Sequence, residues 1–202
     1  FRHALNTLPA PLAAHFCDAT AAMCDGELFQ IEKRGQLLGE EDYLFIIRCK
    51  TAELFSATAR VGCAAAGGDE QAVEAMGLYA LNFGYAFQIT DDVLDLTADP
   101  QALGKDIGTD IASGKQTLPF IHALQHADAH DRHRLLEALG NDRTAPDSAV
   151  VETIRKYRSI DFARQKARDY TDAARATLDQ LPENAARQFL VDLTDLVLDR
   201  RY

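Results

Sequence analysis

Residues 69 to 97 carry small and apolar side chains at helical spacing, and the last turns of this run hold three carboxylates, Asp91, Asp92 and Asp95. No other stretch constrains the chain as strongly, because charge at the end of an apolar helix is expensive unless something neutralises it. At 3.6 residues per turn Gln88, Asp91, Asp92 and Asp95 share one face, so their oxygens are expected to converge. Two readings stand. The acids form a solvated last turn, or they form an all-oxygen site for a hard divalent ion, Mg²⁺ first, shared with a phosphate. The negative end of the helix dipole makes the acids costly without a compensating cation. Gly77 and Gly84 thin the helix and permit close approach along one face. Phe83 and Phe87 lie along the same wall, either as core or as aromatic faces that attract a cation.

The following segment, Asp99 to Pro119, has glycines at 104, 108 and 114 and a proline near each end, which reads as a loop. It presents Lys105 and Lys115, either as salt-bridge partners of the nearby acids or as ammonium groups that grip a diphosphate together with a carboxylate-held metal. Upstream, a helix is expected from Pro11 to about Arg34 and another from Glu40 to about Ala66, opened by Glu40, Glu41 and Asp42 at its positive end. Gly26 and Gln30 lie four apart on the first. Lys50 and Thr51 sit in the middle of the second between apolar residues, where a lysine either snorkels or reaches an anion. An apolar helix is expected from Pro119 to about Gly140, then a polar linker over 140–147. Val150 to Leu181, with a break near Ser159, and Pro182 to Arg201 read as further amphipathic helices. No segment longer than a few residues alternates like a strand, so the expected class is all-α.

Composition narrows the function classes. The 202 residues, 47% hydrophobic, suffice for one substantial core, and no internal repeat divides them, so residues 1–202 read as a single all-α domain. The net charge of −10 without a basic stripe argues against nucleic acid as a partner. The run from Ala72 to Ile89 is interrupted by Glu74, Asn82 and Gln88 and does not read as transmembrane, which leaves the cytoplasm as the default compartment. Cys17, Cys24, Cys49 and Cys63 lack CxxC spacing and are expected as buried reduced thiols, with Cys17 and Cys24 sharing a packed face. His122, His126, His130 and His133 recur near helical spacing without cysteine or acidic co-ligands, and read as bystanders rather than a zinc face. Gly108 to Lys115 does not match a P-loop, since Gln116 stands where Ser or Thr is required.

The segments Phe87-Gln-x-x-Asp-Asp-x-x-Asp95, Gly104-Lys105-Asp-Ile-Gly-Thr-Asp110 and Gly114-Lys115-Gln-Thr-Leu-Pro119 resemble the second aspartate-rich region of the trans-isoprenyl diphosphate synthases. Gly26-Glu-Leu-Phe-Gln30 and Ile47-Arg-Cys-Lys50-Thr51-Ala-Glu-Leu-Phe55 resemble the same family in order and spacing. The resemblance implies an isoprenoid-synthase-type antiparallel helical bundle that is usually homodimeric, with the helix around Ala19 to Ala22 as the expected interface. It implies Mg²⁺-dependent condensation of isopentenyl diphosphate with an allylic diphosphate. In that reading Asp91, Asp92 and Asp95 hold metal, Lys50, Lys105 and Lys115 neutralise the leaving diphosphate, Thr51 and Gln88 direct dipoles toward the cation, and Gln30 and Phe87 line the substrate pocket with Gln88. Membrane contact, if any, would be transient and serve product release. No DDxxD pattern precedes Asp91 and Phe1 to Leu8 reads as the tail of a helix, so the chain is expected to correspond to the C-terminal two thirds of such an enzyme and to be inactive alone. The general look of Thr51 to Gly68 and of the C-terminus is closer to bacterial long-chain synthases. A regulatory subunit and a terpene cyclase are the rival readings.

Overall fold

The computed structural model describes residues 6–97, 108–139 and 148–200. Among them every regular element is helical. Helix α1 (Ala10–Glu32) opens with Pro11 in its first turn. Helix α2 (Glu40–Ile47) starts at Gly39, whose N–H donates to Asp42 Oδ2 at 3.0 Å, and the acids Glu40, Glu41 and Asp42 sit at its positive end. It runs through a π-helical turn, Arg48–Ala52, into α3 (Glu53–Ala65). Helix α4 (Glu70–Thr97) is the 28-residue helix at the centre, about 42 Å long. A short α5 (Thr109–Ala112) precedes α6 (Leu118–His126), α7 (Ala129–Ala138), α8 (Ser148–Lys156), α9 (Ser159–Leu178) and α10 (Ala185–Leu198).

The order of packing follows from α4, whose most extensive neighbours are α9 and α3. Ile89, Val93 and Leu96 of α4 pack with Tyr43 and Ile47 of α2, Phe120 and Ile121 of α6 and Ile154 of α8 to form the main core. A second cluster around Tyr79, Ala80, Ala174 and Leu178 joins the other end of α4 to α9, with Leu190 and Val191 of α10 against it. The acid-bearing end of α4 is therefore the better buried end.

Two expectations change. The single helix over 119–140 is two, because Asp128 caps a new one: its carboxylate accepts the Asp131 N–H at 2.9 Å, so the four histidines divide between α6 and α7. Cys17 and Cys24 are exposed rather than buried, because only Ala13, Ala19 and Gly26 of α1 face fully inward; Cys49 is buried, Cys63 is half-buried and all four thiols are free. The break expected near Ser159 is present, with Arg158 at φ 54° immediately before the new helix. The linker over 140–147 lies outside the described residues. No helix among the described residues is long and apolar enough to cross a membrane.

Candidate functional site

The site is built on the π turn. Here the chain is clamped between two glycines: a Cβ on Gly26 of α1 would lie 2.6 Å from Cys49 Cβ, and one on Gly84 of α4 would lie 2.7 Å from Ala52 Cα. Both positions require the absence of a side chain, and for Gly26 this makes close packing the observed role. The clamp presents Lys50 and Thr51 in opposite directions. Lys50 Nζ donates to Gln30 Oε1 at 2.6 Å and pairs with Glu27 Oε2 at 2.6 Å, both on α1. Thr51 Oγ1 donates to Gln88 Oε1 at 3.1 Å, and Gln88 Nε2 donates onward to Asp92 Oδ1 at 3.0 Å.

Asp92 is the hub. It is fully buried, and Lys115 Nζ donates to its Oδ1 at 2.8 Å while the Tyr43 hydroxyl donates to Oδ2 at 2.7 Å. Lys115 also reaches Asp110 Oδ2 at 2.9 Å. Burial pushes the Asp92 carboxyl above the ordinary range, opposed by Lys115 and the Tyr43 hydroxyl. Burial alone would lower the Lys115 ammonium, but Asp92 and Asp110 outweigh it and raise the group well above its usual value. Burial, with the Asp92 charge added, keeps the Tyr43 phenol protonated far above its ordinary range.

The three aspartates do not converge, although one helical face carries them. Asp92 turns into the core. Asp95 turns toward α5, where its Oδ1 accepts from the Thr109 hydroxyl at 2.7 Å and its Oδ2 from the Asp110 N–H at 3.2 Å. Its own carbonyl accepts the Gly108 N–H at 2.7 Å, a turn that needs the positive φ of Gly108, 74°. Burial raises the Asp95 carboxyl and the Thr109 hydroxyl opposes it. Asp91 remains exposed, with Arg200 Nη2 3.7 Å from its Oδ1. No group of three His, Cys, Asp or Glu side chains among the described residues is gathered tightly enough to hold an ion. The donor chemistry still suits a hard cation, since every group offered is a carboxylate or amide oxygen. Asp91 is the one of the three whose carboxylate is not already engaged by short hydrogen bonds.

Phe87 packs against Phe55 at 5.6 Å between ring centroids and against Phe83 at 6.5 Å, and the Arg200 guanidinium lies 4.7 Å from its ring centroid. Beside the network, a cavity of about 350 Å³ is lined by Gln30, Lys33, Leu38, Tyr43, Lys50 and Lys115. Lys105 lies outside the described residues. Four residues of the site carried no assignment in the sequence: Glu27, Tyr43, Asp110 and Arg200. Glu27 and Asp110 stand inside the quoted motifs and were within reach of that reading. Tyr43 gives no local signal, being one aromatic residue behind an acidic helix start.

Fold and site together define an all-α protein in which two lysines are held by carboxylates around the acid-bearing end of one central helix. The sequence model of the polyprenyl synthetase family matches residues 3–157, and the chain belongs to that family. It is 37% identical over 188 residues to octaprenyl diphosphate synthase of Haemophilus influenzae, covering 92% of this chain and 57% of that protein. It is 37% identical over 190 residues to the geranyl-diphosphate-specific all-trans-nonaprenyl-diphosphate synthase of Rhodobacter capsulatus, covering 94% of this chain and 58% of that one. Among solved structures, the polyprenyl synthase of Caulobacter crescentus complexed with calcium and isoprenyl diphosphate superposes with a TM-score of 0.89 at 33% identity, over 98% of this chain and 61% of that one. The helical bundle is thus of the isoprenyl synthase type. The chain spans about three fifths of the length of the relatives it matches.

Proposed function

We propose that the protein containing this chain condenses isopentenyl diphosphate with an allylic diphosphate to give a longer trans-polyprenyl diphosphate. The observation that carries the reading is the network from Thr51 through Gln88 and Asp92 to Lys115, a line of amide and hydroxyl dipoles beside a cavity that Lys115 and Lys50 both line.

In the reaction, the allylic C–O bond breaks and its electron pair leaves with diphosphate. The double bond of isopentenyl diphosphate forms the new C–C bond to the allylic cation, and a proton then departs to the released diphosphate. Lys50, Lys105 and Lys115 neutralise the leaving group. Thr51 and Gln88 direct oxygen dipoles toward the cation, and Gln30 and Phe87 border the allylic chain. Mg²⁺, when bound, supplies Lewis-acid charge to the leaving diphosphate. Asp91 is the carboxylate best placed to hold it, with Asp95 behind; Asp92 acts as the buried counter-charge of Lys115. The same reading includes a homodimer.

The test is incorporation of labelled isopentenyl diphosphate by the full-length protein with farnesyl diphosphate and Mg²⁺, with Asp91→Ala alongside and the products sized. Polyprenyl products that fall by at least about a hundredfold in the variant support the reading. No incorporation by folded protein with any allylic primer leaves a regulatory subunit or a different condensation.

A further inference from the structure

We infer that Tyr43 is a positioning residue for diphosphate recognition, acting through Asp92 on Lys115. The inference deepens the function proposed above and rests on it. An aspartate carboxylate turns readily about its last torsion, with no strong staggered preference. Among the described residues Asp92 has two donors on Oδ1, Gln88 at 3.0 Å and Lys115 at 2.8 Å, and one on Oδ2, the Tyr43 hydroxyl at 2.7 Å. That hydroxyl therefore fixes the carboxylate plane, and the plane fixes where the ammonium of Lys115 stands relative to Gln88.

Tyr43 is itself immobilised. It is buried within the main core on α2, among Ile47, Ile89 and Val93. The start of α2 is fastened to the residue following Lys115, because the Gln116 amide donates to Gln36 O at 2.8 Å and accepts the Leu38 N–H at 3.0 Å. Lys115 is thus located from two sides, by Gln116 in its own backbone and by Tyr43 through Asp92. At the ammonium itself Asp110 Oδ2, at 2.9 Å, is one anchor, and Asp92, set by Tyr43, is the other. Tyr43 and Lys115 also border the same cavity, so a diphosphate that draws Lys115 outward competes directly with the Asp92 contact that Tyr43 sets.

Tyr43→Phe removes one oxygen and keeps the ring, and tests this with inorganic diphosphate and Mg²⁺ as the titrant. Affinity is measured by calorimetry on full-length wild type, Tyr43→Phe, Lys115→Ala and the double variant, at a temperature where far-UV circular dichroism shows all four folded. Tyr43→Phe is expected to weaken binding about tenfold in the wild-type background and less than about twofold in the Lys115→Ala background, the non-additivity of residues that act through one another. Unchanged affinity in Tyr43→Phe, or the same tenfold loss in both backgrounds, overturns the inference and leaves the function proposed above standing. Wild type that binds no diphosphate overturns both.

Discussion

Single atoms decide the π turn. A methyl group on Gly84 meets the backbone of Ala52, which cannot swing aside as a side-chain tip does. Gly84→Ala should therefore cost about 1–3 kcal/mol, as overpacking of a tight interior does, and should be read from urea midpoints. Gly62 on α3 is the control, because a Cβ there meets nothing within 4 Å. Gly62→Ala should stabilise by about 0.5–1 kcal/mol through helix propensity alone. An equal effect of the two substitutions would remove the clamp from the account. At this scale the sequence was partly legible. Thr51, Gln88 and Lys115 meet in one network through Asp92, while Gln30 and Lys50 form a separate pair on the α1 side of the π turn. The inward turn of Asp92 was not legible, because helical spacing tells which residues share a face and not what stands opposite each of them. Tyr43 is 49 positions away in sequence and supplies that missing half.

Helices were legible where periodicity was long, and their interruptions were not. The stretch from Glu40 to Ala65 is helical throughout as expected, yet nothing local marks Arg48–Ala52 as a π turn; the extra residue is accommodated because Gly26 and Gly84 leave room on either side. The Asp128 cap, by contrast, was readable from its spacing to Asp131 and lost beneath the histidine pattern. Two element junctions yield predictions. Arg158 starts α9 from a left-handed conformation at φ 54° while its guanidinium makes an exposed pair with Asp161 at 3.1 Å. Arg158→Gly should relieve about 1 kcal/mol of backbone strain against an ion pair worth little, raising Tm by about 2–4 °C. At the junction of α6 and α9, His122 stacks on Phe162 and His126 at 4.1 Å, and its Nδ1 lies 2.9 Å from Ser159 Oγ. Burial, then the neighbouring His126, holds its pKa below the ordinary value, with Glu40 opposing. The unfolded chain therefore binds this proton more tightly than the folded one, so the contribution is present above about pH 6.5 and is lost as pH falls through the lower folded value. Thermal melts from pH 7 to pH 5 should fall less steeply in His122→Gln than in wild type. Parallel curves would show that His122 does not titrate differently on folding.

Across the whole molecule, the outer face of α1 is a regular exposed stripe suited to contact with another copy. The expected interface is the helix around Ala19 to Ala22; within it Ala19 faces into the chain and Ala21 faces out. The exposed side carries Ala14, Cys17, Ala21, Cys24, Leu28 and Ile31 at alternating spacings of three and four, the repeat of a helix that packs against another helix. Leu28 is 65% exposed and Ile31 51%, large apolar side chains left toward solvent at one end of a stripe of small ones. The homodimer included in the proposed function would place this stripe against its own copy. Under two-fold symmetry every contact recurs, so one substitution is felt twice. Burial of a leucine is worth about 1.5–3 kcal/mol, so Leu28→Lys should weaken self-association at least about a hundredfold. Full-length wild type is then expected to run as two copies in size-exclusion chromatography with light scattering at micromolar concentration, and Leu28→Lys as one. The stripe predicts a second result of different origin: mild oxidation should cross-link wild-type copies through Cys17 or Cys24, which stand exposed on it, while Cys49 stays protected by burial. A wild-type monomer, or a Leu28→Lys variant that remains a dimer, would move any interface off α1.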